Sequence, residues 1–122
     1  MTPITVLVPM RTVSETNMRE HHMARHRRRK AQREAAYWTM AAALGVSWEV
    51  PGRVVLTRLA ARRLDDDNLR GALKAVRDGV ADALHVDDGS DVVLWDYLQR
   101  KPSKTEPKMG VEIRIESKGG AT

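Results

Sequence analysis

The segment from Leu69 to Leu84 carries the pattern that most restricts the fold, because its apolar residues recur at helical spacing. Three aspartates, Asp65 to Asp67, come just before it. Acidic side chains in that position suit an N-cap and the positive end of a helix dipole. The pattern predicts an amphipathic helix of about seventeen residues, one face of which must pack against another layer. This apolar stripe consists of Leu69, Ala72, Leu73, Val76, Val80, Ala83 and Leu84.

Strand-like runs surround the predicted helix. They are rich in β-branched residues or alternate between apolar and polar side chains, as strands do. We expect the last two runs to pair as a hairpin across residues 102–107. The predicted strands are residues 4–9, 54–59, 91–100 and 110–116.

A second helix is predicted within residues 19–44, most clearly from Ala31 onward, because strong helix formers dominate there and Gly45 follows as a stop signal. The order of elements is therefore β-α-β-α-β-β. This order predicts an α+β fold in a single domain, residues 1–122, with a mixed β-sheet covered by two main helices. Residues 117–122 are expected to form a disordered tail.

The absence of cysteine excludes disulfides, thiolate nucleophiles and cysteine-based zinc sites. No run approaches the ~20 apolar residues of a membrane helix, and the N-terminus lacks a signal-peptide pattern. We therefore expect a soluble, cytoplasmic protein. Because there is no Phe, the core must be built from Val, Leu, Ala and Trp. Trp38, Trp48 and Trp95 have apolar neighbours, which favours core or dimer-interface positions.

Basic and acidic residues are segregated along the chain, whose formal net charge is +5. Between Arg19 and Arg33 there are seven Arg or Lys and three His against one Glu. Between Asp65 and Asp96 there are nine of the sixteen acids against three basic residues. The first segment suits a polyanion, whereas the second would repel one unless a divalent cation neutralised it.

The basic segment is the candidate for nucleic-acid contact, although a run of like charge is often only a solvated helix face. His22 and His26 have a spacing that zinc ligands use. No carboxylate completes the set and neighbouring arginines repel cations, so we reject a zinc site. The predicted DNA-binding residues are Arg25, Arg27, Arg28, Arg29, Lys30, Arg62 and Arg63.

Carboxylates flank the helix predicted over residues 69–84 at both of its ends. Asp65 and Asp67 would face the same way in an extended segment. Asp88 follows the helix, about 25 Å further along its axis, so spacing alone does not bring the three together. A cluster of them would suit Mg²⁺, or Mn²⁺, because these ions take hard oxygen ligands. A helix cap and an Asp-Asp-Gly turn explain the same residues without any chemistry.

Lys74 follows Asp67 by two helical turns and lies on the face opposite the apolar stripe. Asp78 is four residues further on. A lysine in this position could steady a phosphate or the charge of a transition state. The alternative is an ordinary surface pair at i,i+4 spacing.

Three motifs between residues 60 and 95 occur in a fixed order, with Arg62-Arg63 just ahead of them. They are Asp65-Asp66-Asp67-Asn68-Leu69, then Lys74-Ala75-Val76-Arg77-Asp78, then Val86-Asp87-Asp88 before a strand. Together they resemble the pattern of the RusA family of Holliday-junction resolvases.

The resemblance implies a Mg²⁺-dependent endonuclease that acts in DNA recombination and repair. Such a protein would be a homodimer that binds a four-way DNA junction and makes paired nicks. Position by position, the resemblance implies that Asp65, Asp67 and Asp88 are metal-binding catalytic carboxylates and that Lys74 is the active-site lysine. By the same analogy the gene would belong to a bacterium, a phage or a prophage.

The chain departs from the family pattern before Lys74. Nearly one helical turn of extra residues separates Asn68-Leu69 from Lys74, and Gly71 occupies the position that matches the shorter spacing. This departure keeps open a non-catalytic nucleic-acid-binding protein with the same fold and a disabled site. A third hypothesis is a phage regulatory or assembly protein with an acidic partner.

Overall fold

A computed structural model describes residues 3–13, 22–45, 50–87 and 92–117. Within them the predicted order of elements and the α+β class are confirmed. No helix in these ranges is long and apolar enough to span a membrane. Residues 118–122 of the predicted tail are outside the described ranges. The elements are β1 (Ile4–Pro9), α1 (His22–Leu44), β2 (Arg53–Leu59), α2 (Asp66–Leu84), β3 (Leu94–Arg100) and β4 (Gly110–Glu116).

The four strands form one mixed sheet in the order β1-β4-β2-β3. β2 runs parallel to β3, and β4 runs antiparallel to both β1 and β2. The predicted hairpin of the last two strands is therefore wrong. β2 lies between them, so that Leu56 is paired with Tyr97 on one side and with Ile113 on the other. The physical reason is the burial of β2, which is buried on both faces from Val54 onward and therefore takes a central place.

Both helices pack on one face of this sheet, and the core lies between the two layers. The apolar stripe of α2 is buried throughout, as predicted. Met40 of α1, Leu56 of β2 and Ile113 of β4 are fully buried and belong to the same cluster. Aliphatic side chains thus supply the core.

The tryptophans contribute less to the core than predicted. Trp38 lies on α1 with 67% of its surface exposed, so it is not a core residue. Trp95 on β3 is half-buried against the core, as expected, and the Arg77 guanidinium lies 4.7 Å from its ring centroid. Arg77 also donates a hydrogen bond to the Tyr97 hydroxyl at 2.8 Å. Trp48 is outside the described residues.

The connection from β3 to β4 must pass β2, and charged hydrogen bonds hold it. Arg100 donates two hydrogen bonds to Glu106, at 2.7 and 2.8 Å, and one to Glu112 at 3.0 Å. The Ser103 amide donates to the same Glu106 carboxylate. Arg100 and the Ser103 amide lower the pKa of Glu106 to about 2.

Candidate functional site

The three aspartates lie at the start of α2, and all are exposed. Asp65 is the N-cap, in an extended conformation. One of its carboxylate oxygens accepts the backbone N–H of Asn68 at 2.9 Å, and the other accepts the Asn68 side-chain amide at 3.1 Å. Asn68 therefore fixes the orientation of the Asp65 carboxylate. The sequence motif contained Asn68 but did not show this role.

The segment just before α2 is fastened to the edge strand. Gln99 of β3 accepts the Leu64 backbone N–H at 2.9 Å and donates to the Leu64 carbonyl at 2.7 Å. These two bonds fix the residue that precedes the Asp65 cap. No sequence signal pointed to Gln99, because its partner is a backbone 35 residues away.

A buried arginine fastens the same loop to β2. Arg58 donates a hydrogen bond to the Arg62 carbonyl at 2.7 Å and another to the Thr12 hydroxyl at 3.0 Å. Burial lowers the pKa of Arg58, because desolvation penalises its charged form. The two arginines that precede the aspartates, Arg62 and Arg63, are exposed on this anchored loop.

Lys74 lies on the side of α2 that faces away from the core. Its ammonium is 3.2 Å from the Asp78 carboxylate, so the predicted i,i+4 pair is present. Lys74 remains 66% exposed. Asp67, Gly71, Lys74 and Asp78 are three or four residues apart and thus share one side of the helix. Asp67 precedes Lys74 by about 10 Å along the helix axis.

A cleft of about 420 Å³ lies between α1 and α2 on this side. Two of the predicted DNA-binding residues, Arg29 and Lys30, line it together with Lys74. The sequence did not predict His26 or Arg33 as site residues, because the cleft exists only once the two helices are packed. The lining is His26, Arg29, Lys30, Arg33, Gly71, Lys74, Ala75 and Asp78.

The other predicted DNA-binding residues of α1 lie outside the lining of this cleft. Arg27 is exposed, whereas Arg25 and Arg28 are half-buried. The basic run therefore does not form one uniform surface.

A second cavity of about 340 Å³ lies beside the start of α2, against the edge strand. Its charged groups are balanced, with two arginines and two aspartates. Arg53 and Asp96 form an ion pair within it, and the Arg70 guanidinium lies 5.5 Å from the Tyr97 ring centroid. Its lining is Arg53, Asp66, Leu69, Arg70, Trp95, Asp96, Tyr97 and Leu98.

The structure keeps the described carboxylates at the two ends of α2 apart. Asp87 lies beyond the C-terminal end, lining a small cavity with Arg33 and Asp82. α2 has 19 residues, so its ends are about 28 Å apart. Asp88 is outside the described residues. Within the described ranges, no group of three or more His, Asp or Glu side chains could hold a metal ion.

Asp65 and Asp67 remain as candidate ligands, but they are not arranged as an extended segment would arrange them, because Asp65 is extended and Asp67 lies in the first turn of α2. Mg²⁺ commonly binds through one or two carboxylates and completes its shell with waters and substrate phosphates. Each Asp65 oxygen accepts one hydrogen bond from Asn68 and has a second lone pair. Both carboxylates are exposed, so an ion and a phosphate can reach them.

Comparison with known proteins gives no match, either to a protein-family model or to a curated protein. The resemblance to the RusA family therefore depends on the three motifs of residues 60–95. The class of protein that the fold defines is a small α+β domain with exposed carboxylates at a helix start. The function argued from the resemblance is a proposal.

Proposed function

We propose that this chain is a Mg²⁺-dependent endonuclease that cuts branched DNA, with four-way junctions as its substrate. One observation carries the proposal. Exposed Asp65 and Asp67 stand at the start of α2, and Lys74 follows two turns after Asp67, on the same side of the helix as Asp67 and at the edge of a cation-lined cleft. Carboxylates for a hard cation thus lie near cations suited to phosphate.

The residues of α2 take distinct parts in this proposal. Asp65 and Asp67 would hold Mg²⁺, and Asn68 orients the Asp65 carboxylate through two hydrogen bonds. Bound there, Mg²⁺ would supply an activated water and neutralise phosphate charge. Lys74 would stabilise negative charge on the phosphate. The resemblance adds Asp88 as a third ligand, a residue outside the described ranges.

The cations around α2 would hold the DNA arms. Arg62 and Arg63 are exposed on the loop that leads directly to the carboxylates, where a backbone phosphate must pass to be cut. On α1 the proposed contacts are the two predicted DNA-binding residues that line the cleft, Arg29 and Lys30. A homodimer, which the resemblance implies, would present two such sites to one junction.

The deciding experiment measures Mg²⁺-dependent cleavage of a synthetic four-way junction beside linear duplex. The variant Asp67→Asn removes one proposed ligand, and Asp66→Asn makes the same charge change in the same helical turn. We expect paired nicks in the junction alone, lost on the order of a hundredfold or more in Asp67→Asn. Junction binding should be preserved in both variants, and Asp66→Asn should still cleave. Equal cleavage by the two variants would show that Asp67 is not a ligand.

A non-catalytic nucleic-acid-binding protein is the second candidate, and specific contacts favour it. Asp65 already serves as a helix cap, and Lys74 already pairs with Asp78. Both residues thus have structural roles that require no cleavage. Tight, salt-sensitive junction binding without nicks, in Mg²⁺ and in Mn²⁺, would establish this second function and exclude the first.

A further inference from the structure

The cleft between α1 and α2 has cations on both of its walls. Arg29, Lys30 and Arg33 project from α1, and Lys74 projects from α2. Asp78 is the one carboxylate among the lining residues. Such a concentration of like charge around a 420 Å³ space favours an anionic occupant.

The cations are arranged along a line. Arg29 and Arg33 lie on successive turns of one helix face, about 6 Å apart along its axis, and Lys30 is beside them. The phosphates of one DNA strand are spaced by about 3.4 Å along the helix axis. The row therefore matches about two neighbouring phosphates, whereas a single phosphate or carboxylate would use only part of it.

The floor of the cleft leaves room for a backbone. Gly71 and Ala75 supply it from α2, and neither side chain extends beyond Cβ. A Cβ added at Gly71 would meet no atom within 4 Å. Arg33 and Lys74 are held in place by carboxylates, Arg33 by two hydrogen bonds to Asp82 at 2.7 and 3.0 Å.

We propose that this cleft binds the sugar-phosphate backbone of one DNA strand, with Arg29, Lys30 and Arg33 on one wall and Lys74 on the other. The inference rests on the proposed function only in taking DNA as the partner. It assigns Arg33 a contact outside the predicted set, and it leaves out Arg25, Arg27 and Arg28 because none of them lines the cleft. Binding through the cleft requires neither metal nor cleavage.

The test compares two charge reversals on the same helix. Arg29→Glu and Arg27→Glu change the net charge equally at exposed positions, but only Arg29 lines the cleft. Binding to a four-way junction and to single-stranded DNA is measured by fluorescence anisotropy in EDTA at several salt concentrations. Arg29→Glu should weaken binding roughly tenfold and reduce the slope of log affinity against log salt by about one. Arg27→Glu should change affinity by about twofold or less. Equal losses would show a diffuse helix face and would overturn the proposal.

A second pair of variants tests the opposite wall. Gly71→Glu places a carboxylate in the cleft, and Gly71→Gln adds a side chain of the same size without charge. Because Gly71 has open space around it, both variants should fold. We expect Gly71→Glu to bind DNA roughly tenfold more weakly than Gly71→Gln. Equal binding by these two variants would contradict the proposal.

Other occupants are separated by competition. Inorganic phosphate, a mononucleotide and polyglutamate are each titrated against the wild-type complex with DNA. An unlabelled DNA strand is the reference competitor, and concentrations are counted per phosphate or per glutamate residue. If any of the three anions displaces the labelled DNA at a concentration close to that of the unlabelled strand, the cleft is a small-anion or acidic-protein site and the proposal fails. DNA binding that depends on Arg29 without any nicking would instead refute the nuclease and leave the cleft assignment intact. If Arg29→Glu changes neither the nicking nor the binding, the cleft assignment fails and the nuclease proposal stands.

Discussion

Asp65 shows how one side chain can satisfy both a structural and a chemical interpretation. Its two oxygens accept from the backbone and the side chain of Asn68, which is the contact that a helix cap requires. The same contacts hold the carboxylate in one exposed orientation, which is useful to a metal ligand. Geometry therefore does not separate the two roles, but substitution can.

Replacing Asp65 by Ser or by Ala separates capping from ligation. Ser is as good an N-cap as Asp, so Asp65→Ser should unfold within a few tenths of a kcal/mol of the wild type. Asp65→Ala should lose about 1 kcal/mol of unfolding free energy. If Asp65 is a ligand, both variants lose Mg²⁺-dependent nicking. Urea denaturation and the junction assay measure the two effects. Full nicking by Asp65→Ser would reduce Asp65 to a cap.

The sequence predicted which residues surround the site but not what positions them. Asp65, Asp67 and Lys74 were found from a motif and from helical spacing. Gln99 and Arg58 were not, because each bonds a backbone carbonyl of another element or loop. Every residue has a backbone carbonyl, so the side chain of the accepting residue gives no sign that it will receive such a hydrogen bond. Contacts of this kind require the folded chain.

At the level of elements, periodicity predicted each helix and strand but not every neighbour. β4 alternates between buried and more exposed residues as expected. That alternation fixes which face is buried and is silent on which strand lies beside it. The near-continuous burial of β2 was the available clue, since Val54 to Leu59 contains only one charged residue, Arg58. A strand that is apolar on both faces belongs inside the sheet.

The packing of α1 on α2 depends on a glycine that the apolar stripe does not include. A Cβ added at Gly79 would clash with the Arg33 carbonyl oxygen and would lie 3.0 Å from the Ala36 Cβ. The helices can therefore approach this closely only where the side chain is absent. Because Arg33 also lines the cation cleft, this contact helps to set the width of that cleft.

Gly79→Ala and Gly71→Ala form a matched pair in the same helix. Alanine favours a helix interior by roughly 1 kcal/mol over glycine, so Gly71→Ala should stabilise the protein by up to that amount. At Gly79 the clash with a backbone carbonyl should outweigh this gain and cost about 2 kcal/mol overall. Chemical denaturation of both variants measures the difference. Equal stabilisation by the two would mean that the helices are not in close contact at Gly79.

On the scale of the whole molecule, the candidate functional groups are distributed along the length of α2. The exposed aspartates stand at its N-terminal end, the cation cleft lies along the following turns, and Asp87 lies past the other end. The sequence separated basic and acidic segments but did not show that α1 cations would line a cleft with Lys74. That juxtaposition follows from helix packing, which no linear pattern encodes.

The edge of the sheet is where a second copy of the chain would bind under the homodimer proposal. β3 pairs on one side only with another described strand, and its Leu94 and Leu98 are 68% and 53% exposed. Asp96 lies between them on the same face and pairs with Arg53. Antiparallel pairing of two β3 strands about Asp96 would place Leu94 of each copy opposite Leu98 of the other. The two leucine positions are thus self-complementary, as a two-fold interface requires, and the repulsion between the two facing Asp96 carboxylates would be offset by their Arg53 partners.

Leu98→Glu should therefore convert a dimer into a monomer of 13.7 kDa. A carboxylate buried without a partner beside Asp96 is costly enough to weaken association by roughly a hundredfold or more. Trp38→Glu is the control, because Trp38 is 67% exposed on α1 and the sequence favoured a core or dimer-interface position for it. Sedimentation at several concentrations measures both variants. If Trp38→Glu dissociates the dimer and Leu98→Glu does not, the copies associate through α1. A monomeric wild type would exclude the homodimer. Each four-way junction would then need two independent binding events.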